Sequence, residues 1–249
     1  VQPRSQRSDA TLPPPRLVAT IGLHASASTW VFNVVRELMI AGLGEAAVVA
    51  AYADTVAEVP DEATRGGRHM VIKSHHGSAE LDAWLAAERV QVVFSVRDPR
   101  DAAISMSQRF KTPLDHTVRW LVDDCNRLIR LIRQGHMLLR YEQQFFARSA
   151  AVVALARVLD LVVSDETMNT IAARYSTEAV RSFAQRIADL PAERVQRVGS
   201  SHLMDPVTQI HGPHIGDGRS GKWRDLPAPL QAELTRLFGP FLDRFGYPR

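Results

Sequence analysis

The sequence predicts a single α/β domain with a central parallel sheet flanked by helices. Three observations carry that expectation. Four short apolar runs are continuous rather than alternating: Leu17–Leu23, His69–Ser74, Gln91–Val96 and His136–Tyr141. Strands covered on both faces read this way. Helix-like stretches separate these runs, the order expected of a parallel sheet with helices on its faces. The chain has 249 residues, 45% hydrophobic and 23% charged, which suits one domain with a sizeable core.

Each element has its own signal. Leu17–Leu23 is short and apolar, as a buried strand is. From Thr29 to Ile40 the apolar residues Trp30, Val34, Leu38 and Met39 recur at helical spacing. His69–Ser74 is the second strand. Ser78 caps a helix running to Glu88. Gln91–Val96, "QVVFSV", is the third strand, and Pro99 opens the next helix, where proline is tolerated in the first turn. A long amphipathic helix spans Leu114–Arg133. His136–Tyr141 is the fourth strand. Arg148 to Leu190 reads as helices, Gly199–Gly221 as loop, and Pro227–Phe245 as a closing helix. Residues 1–15, polar and ending in three prolines, read as a disordered arm before a domain spanning 16–249.

Composition excludes several classes. The one cysteine, Cys125, cannot form an internal disulfide or a Cys-based zinc site, and it falls in a helix-like segment as a small core residue. "VVALARVLDLVV", Val152 to Val163, is broken by Arg157 and Asp160 and is no membrane span. With no secretory signal visible, a cytoplasmic protein without stable membrane insertion is expected. The net charge of +3 is compatible with an anionic ligand but says little by itself. Nothing points to nucleic acid. A homodimer is compatible with the sequence.

Ligands in such sheets sit beyond the carboxyl ends of the strands. After the first strand comes "HASAST". A helix N-terminus offers free N–H groups and partial positive charge, so it can hold an anion without a cation. Ser26, Ser28 and Thr29 add hydroxyls; the competing reading is an ordinary Ser/Thr helix cap. After the second strand, "KSHH" places Lys73 and His75 two residues apart. In extended backbone both side chains point the same way, while His76 points away and reads as structural. A surface lysine and a structural histidine are the alternative. After the third strand, Arg97 and Ser105 offer a guanidinium fork and a hydroxyl to a phosphate. Asp98, Arg100 and Asp101 read as helix cap or surface pairs.

Together these stretches resemble the sulfotransferases that use 3′-phosphoadenosine 5′-phosphosulfate (PAPS). "LHASASTW" is similar to that family's Y-P-K-S-G-T-T-W loop, "KSH" to its K-T-H stretch, and Arg97 with Ser105 to its 3′-phosphate pair. "LLRYE" looks like its Tyr-Glu segment. "GDGRSGKWRDLP" looks like its late G-x-x-G-x-W-K loop. Each match is weak singly, but the five fall in the family's order, from about Leu17 to the C-terminus.

The resemblance implies a P-loop NTPase-like sulfotransferase fold and a sulfuryl transfer from PAPS to a hydroxyl or amine. The acceptor is a small molecule, a carbohydrate or a lipid-linked compound, and the product is 3′,5′-adenosine bisphosphate (PAP). It implies His75 as base and Lys73 as the cation on the bridging oxygen. His24, Ala25, Ser26, Ala27, Ser28 and Thr29 would form the phosphosulfate loop. Arg97 and Ser105 would hold the 3′-phosphate, with Gly218, Arg219 and Ser220 closing over it. Trp30 and Tyr141 would touch adenine, although a core aromatic is the competing reading of Trp30. It implies no metal, and "HGPH" (211–214) lacks ligand partners at a recognisable spacing.

Three positions depart from the pattern. Ala25 stands at the family's loop lysine, with Ala27 at its glycine, and Gly216 replaces a late-loop arginine. Lys73 and His24 are then expected to supply the missing charge. Loss of the lysine also leaves open a protein that binds nucleotide without turnover. A P-loop phosphotransferase would need G-x-x-x-x-G-K-[ST], which is absent.

Overall fold

A computed structural model describes residues 15–61, 67–88, 90–198, 202–212 and 215–249. Nearly all of the expected arm therefore lies outside the described residues, as do parts of "HGPH".

A parallel five-stranded sheet forms the centre. Its strands are β1 (Leu17–Gly22), β2 (Val48–Tyr52), β3 (His69–Ser74), β4 (Gln91–Val96) and β5 (Met137–Arg140), in the order β2-β3-β1-β4-β5. Alternate residues of β1 explain why its apolar run does not alternate. Ala19 and Ile21 face one core, with Met70, Ile72 and Phe94. Val18 faces the other, with Val71 and Val93.

The first core is closed by helices α2 (Ala79–Ala87), α3 (Pro99–Phe110), α4 (Leu114–Leu131), α8 (Ala228–Leu237) and α9 (Gly239–Phe245). The second is closed by α1 (Ser28–Leu43), α5 (Ser149–Val158), α6 (Asp165–Arg174) and α7 (Thr177–Gln185). Burying apolar surface on both sheet faces supplies the main driving force for this arrangement.

Three expectations are corrected. β2 adds a fifth strand to the four expected: "VVAAY" is alanine-rich and mostly half-buried at a sheet edge. Gly199–Gly221 is not all loop. β7 (His202–Asp205) and β8 (Ile210–His211) lie there, in one antiparallel set with β6 (Gln196–Val198) just before it. Asp205 pins it by accepting two bonds from Arg194 and one from Thr208. The closing helix is two helices. They part at Phe238, before Gly239–Pro240, because proline has no N–H to continue the ladder.

β1 is the sheet's centre, and its two neighbours come from later in the chain. The segments after β1, β3 and β4 therefore emerge side by side at one edge. That is the crevice where open α/β sheets bind ligands.

Candidate functional site

The loop after β1 is held by its own backbone. Gly22 is required, because a Cβ there would stand 2.3 Å from Ser95 Oγ and 2.6 Å from Ser28 Cβ. Leu23 N donates to Ser95 O, and Ser26 Oγ bonds Ser95 O and Oγ. Ala25 and Ala27 both take left-handed backbone, at φ 60° and 62°. That strains any residue with a Cβ. At Ala27 the family's glycine would carry no such strain. Left-handed residues leading into a helix are a backbone setting in which amides converge on an anion. The start of α1 has no side-chain cap and no acid in its first turn. Ser28 and Thr29 are buried there.

β3 delivers Lys73 and His75 to this helix start. Lys73 Nζ donates to Thr29 Oγ1 at 2.7 Å and lies 5.9 Å from the Tyr52 ring centre. Burial and the nearby Arg109 charge lower its pKa to about 7, against the opposing pull of Asp54. His75 Nδ1 lies 2.6 Å from Gly22 O. A carbonyl only accepts, so Nδ1 carries the proton and Nε2 keeps its lone pair. Nε2 lies 3.3 Å from Ser28 Oγ. Burial first, then the charges of His24 and Lys73, hold His75 well below its ordinary pKa, so it is a neutral imidazole.

Two residues clamp the segment. Asp54 Oδ1 accepts from Ser74 Oγ, His75 N and Gly77 N at 2.7, 2.9 and 3.1 Å. Arg127 donates to Ser74 Oγ and His75 O, and forks onto Asp82. Neither was singled out from sequence. Asp54 follows the unexpected β2, and Arg127 shows only as one charge of an amphipathic helix.

After β4, Arg97 is buried and lies 4.0 Å from the Tyr141 ring centre. It donates to Ala25 O and Arg219 O, which ties the loop after β1 to the late loop. Ser105 is half-buried on α3. Arg109, one turn further on the same helix face, was missed, although the i, i+4 spacing from Ser105 marks it. Burial and Arg97 lower its pKa to about 10. Asp98, Arg100 and Asp101 are buried, not surface pairs. Asp98 caps α3 and grips Arg100, whose guanidinium lies 3.6 Å from the centre of Trp223. Asp101 accepts from Gly221 N and Trp223 N and so anchors the late loop.

Within that loop Gly218 has φ 73°, and a Cβ there would lie 3.9 Å from Tyr141 Oη. Arg219 pairs with Asp225, and Lys222 with Asp217. Gly218, Arg219 and Ser220 are exposed. Trp30 is buried edge-on against Phe145, the core environment of the competing reading, yet its Nε1 has no hydrogen-bond partner.

His24 and His76 are placed differently from expectation. His24 Nδ1 lies 2.6 Å from Asp124 Oδ2, so a carboxylate offsets any charge it gains. Its ring stacks on His75 at 4.0 Å. His76 does not turn away from the cluster. It is half-exposed, contacts the same carboxylate at 2.7 Å, and has its pKa raised by Asp124.

A groove of about 910 Å³ lies elsewhere, between α8, α9 and the C-terminus. Of the candidate site residues, only Trp223 lines it.

No protein-family model and no curated protein matches the chain. Solved structures do. A mouse sulfotransferase, SULT7A1, complexed with PAP, superposes with a TM-score of 0.63 at 14% identity, over 91% of this chain and 84% of that one. Retinol dehydratase in complex with retinol and PAP gives 0.59 at 14% identity, over 93% and 82%. The same enzyme with androsterone and PAP gives 0.59 at 15% identity, over 93% and 82%.

The chain has the sulfotransferase fold. The parallel five-stranded sheet flanked by helices is that fold's centre here. At such identities the likeness fixes architecture and leaves the chemistry to be argued from this chain's residues. No described helix is long and apolar enough to cross a membrane.

Proposed function

We propose that this protein is a PAPS-dependent sulfotransferase acting on a hydroxyl or amine of a small-molecule, carbohydrate or lipid-linked acceptor. One observation carries the reading. A neutral histidine with its lone pair on Nε2, and a buried lysine, meet at an uncapped helix start. That set can hold an anion, take a proton and stabilise a leaving oxygen at one place.

In this reading the α1 amides, Ser28 and Thr29 hold the 5′-phosphosulfate. The acceptor oxygen attacks sulfur in line. The new oxygen–sulfur bond forms as the bond from sulfur to the bridging oxygen breaks. The acceptor proton passes to His75 Nε2, and PAP leaves with the bridging oxygen on its phosphate. Lys73 stabilises the charge growing on that oxygen, and such preorganised donors act mainly in the transition state. Arg97, Ser105 and the late loop hold the 3′-phosphate, and Tyr141 lies against the adenine side. In this reading the loop lysine's role falls to Lys73, with His24 held by Asp124 beside His75.

The described neighbours were solved with PAP, and two with retinol or androsterone, which are ring-bearing alcohols. This supports a donor site of that type and an acceptor with a ring. Ala25 favours one rival, a protein that binds the nucleotide without turnover. Transfer of isotope label from PAPS into a panel of cell extracts and model alcohols separates the two. Labelled product that disappears in His75→Ala is expected. Tight PAP binding with no product from any acceptor would favour the rival.

A further inference from the structure

His24, His76 and Asp124 come from three separate segments and meet beside His75. Nδ1 of His24 lies 2.6 Å from Asp124 Oδ2, and Nδ1 of His76 lies 2.7 Å from Oδ1. The three donor atoms lie within 4.8 Å of one another. The carboxylate is 1% exposed, while the His24 and His76 side chains are 18% and 44% exposed. The cluster is thus closed behind the carboxylate and open on the imidazole side. Asp124 Oδ1 adds an independent observation. It is buried, and despite the close His76 nitrogen it has no aligned hydrogen-bond donor. Its one close partner is the His76 nitrogen, which lies off the line of a hydrogen bond.

We propose that His24, His76 and Asp124 bind one divalent transition-metal ion of the Zn2+ type. Two imidazole nitrogens and one carboxylate oxygen are the donor set such ions take, with a fourth position left for water. Ca2+ and Mg2+ favour all-oxygen sites and fit poorly. Two ligands at about 2.0–2.1 Å from a tetrahedral ion stand roughly 3.3 Å apart. The present contacts of 2.6 and 2.7 Å therefore widen by roughly 0.6–0.7 Å when the ion enters. The half-exposed His76 ring is free to make that move, and the imidazole nitrogens shed any proton as they ligate. The inference does not rest on the sulfuryl transfer, which uses other atoms.

The test is calorimetry of the full chain with Zn2+ in chelator-free buffer, with Co2+ absorption as the second readout. One ion per chain is expected, with the visible spectrum of a tetrahedral nitrogen–oxygen site. His76→Ala should weaken binding by about tenfold or more, since even outer-shell partners are worth about 10–100-fold. Asp124→Asn should weaken it at least as much. His202→Ala, on the β7–β8 hairpin, should leave it unchanged. Asp124 is buried, so its variant is scored only if its melting temperature shows a fold; the exposed His76 carries the test otherwise. Absence of micromolar Zn2+ binding, or binding indifferent to His76→Ala, would overturn the proposal and leave a hydrogen-bonded cluster only.

Discussion

At the scale of residues, His75 is the sharpest commitment. Its Nδ1 is fixed by Gly22 O, so only Nε2 is free to accept a proton. His75→Ala should cut turnover by about 10²–10⁴-fold, the usual contribution of a general base. PAP affinity should stay within about twofold, because the proton belongs to the acceptor. Parallel kinetics and calorimetry check this, and unchanged turnover would remove His75 from the mechanism.

Lys73 links the site to stability. Buried and facing Arg109, His75, Tyr52, Asp54 and Thr29, its pKa falls to about 7, against an unfolded value near 10.4. Between those two values the folded state binds fewer protons, so this lysine makes stability rise with pH from about 7 to about 10. Lys73→Met should therefore raise the melting temperature at pH 7 and abolish the pH slope, while collapsing kcat. The charged form serves the donor phosphates, so PAP affinity of the parent should fall as pH rises above about 7. A melting temperature lowered by Lys73→Met would contradict this account. Ala27, left-handed at φ 62°, offers the opposite case. Ala27→Gly should stabilise the protein by about 1 kcal/mol, read by urea denaturation.

At the scale of elements, the segment after β3 matters most. Asp54 and Arg127 hold "KSHH" from two sides through its backbone and Ser74. Asp54→Ala strands several buried donors, each costing about 1–3 kcal/mol. It should lower kcat about tenfold with little change in PAP affinity, and Asp54→Asn, which keeps one acceptor oxygen, should recover part of the loss. Equal kcat in parent and Asp54→Ala would show that the clamp does not position His75. The clamp was not legible in the sequence. Asp54 follows an edge strand whose alanines carry no strand signal, and Arg127 is one of many helical charges. Lys73, His75 and Arg97 were legible, because a residue at the end of a buried parallel strand enters the ligand crevice wherever the chain goes next. His76 was misread. The alternation rule places it off the Lys73–His75 face, but it cannot reveal a buried carboxylate waiting there on α4.

At the scale of the whole molecule, β1 lies between β3 and β4, and that order brings the three motif-bearing loops together. Sequence supplied the three interior strands and the edge strand β5 through continuous apolar runs. The other edge strand, alanine-rich β2, and the short hairpin β7–β8 escaped, since neither carries a long run of large apolar residues as β1 and β4 do. The late loop sits over the site because Asp101 anchors it at Gly221 and Trp223 and Arg97 reaches its backbone at Arg219. This placement predicts recognition of a ribose 3′-phosphate by a guanidinium that AMP cannot engage. The most direct measurement is titration calorimetry of the parent with PAP and with AMP at one ionic strength. PAP should bind at least about tenfold more tightly, a difference near 1.4 kcal/mol, and Arg97→Ala should erase most of it. Equal affinities for the two nucleotides in the parent would contradict the assignment of a PAPS site.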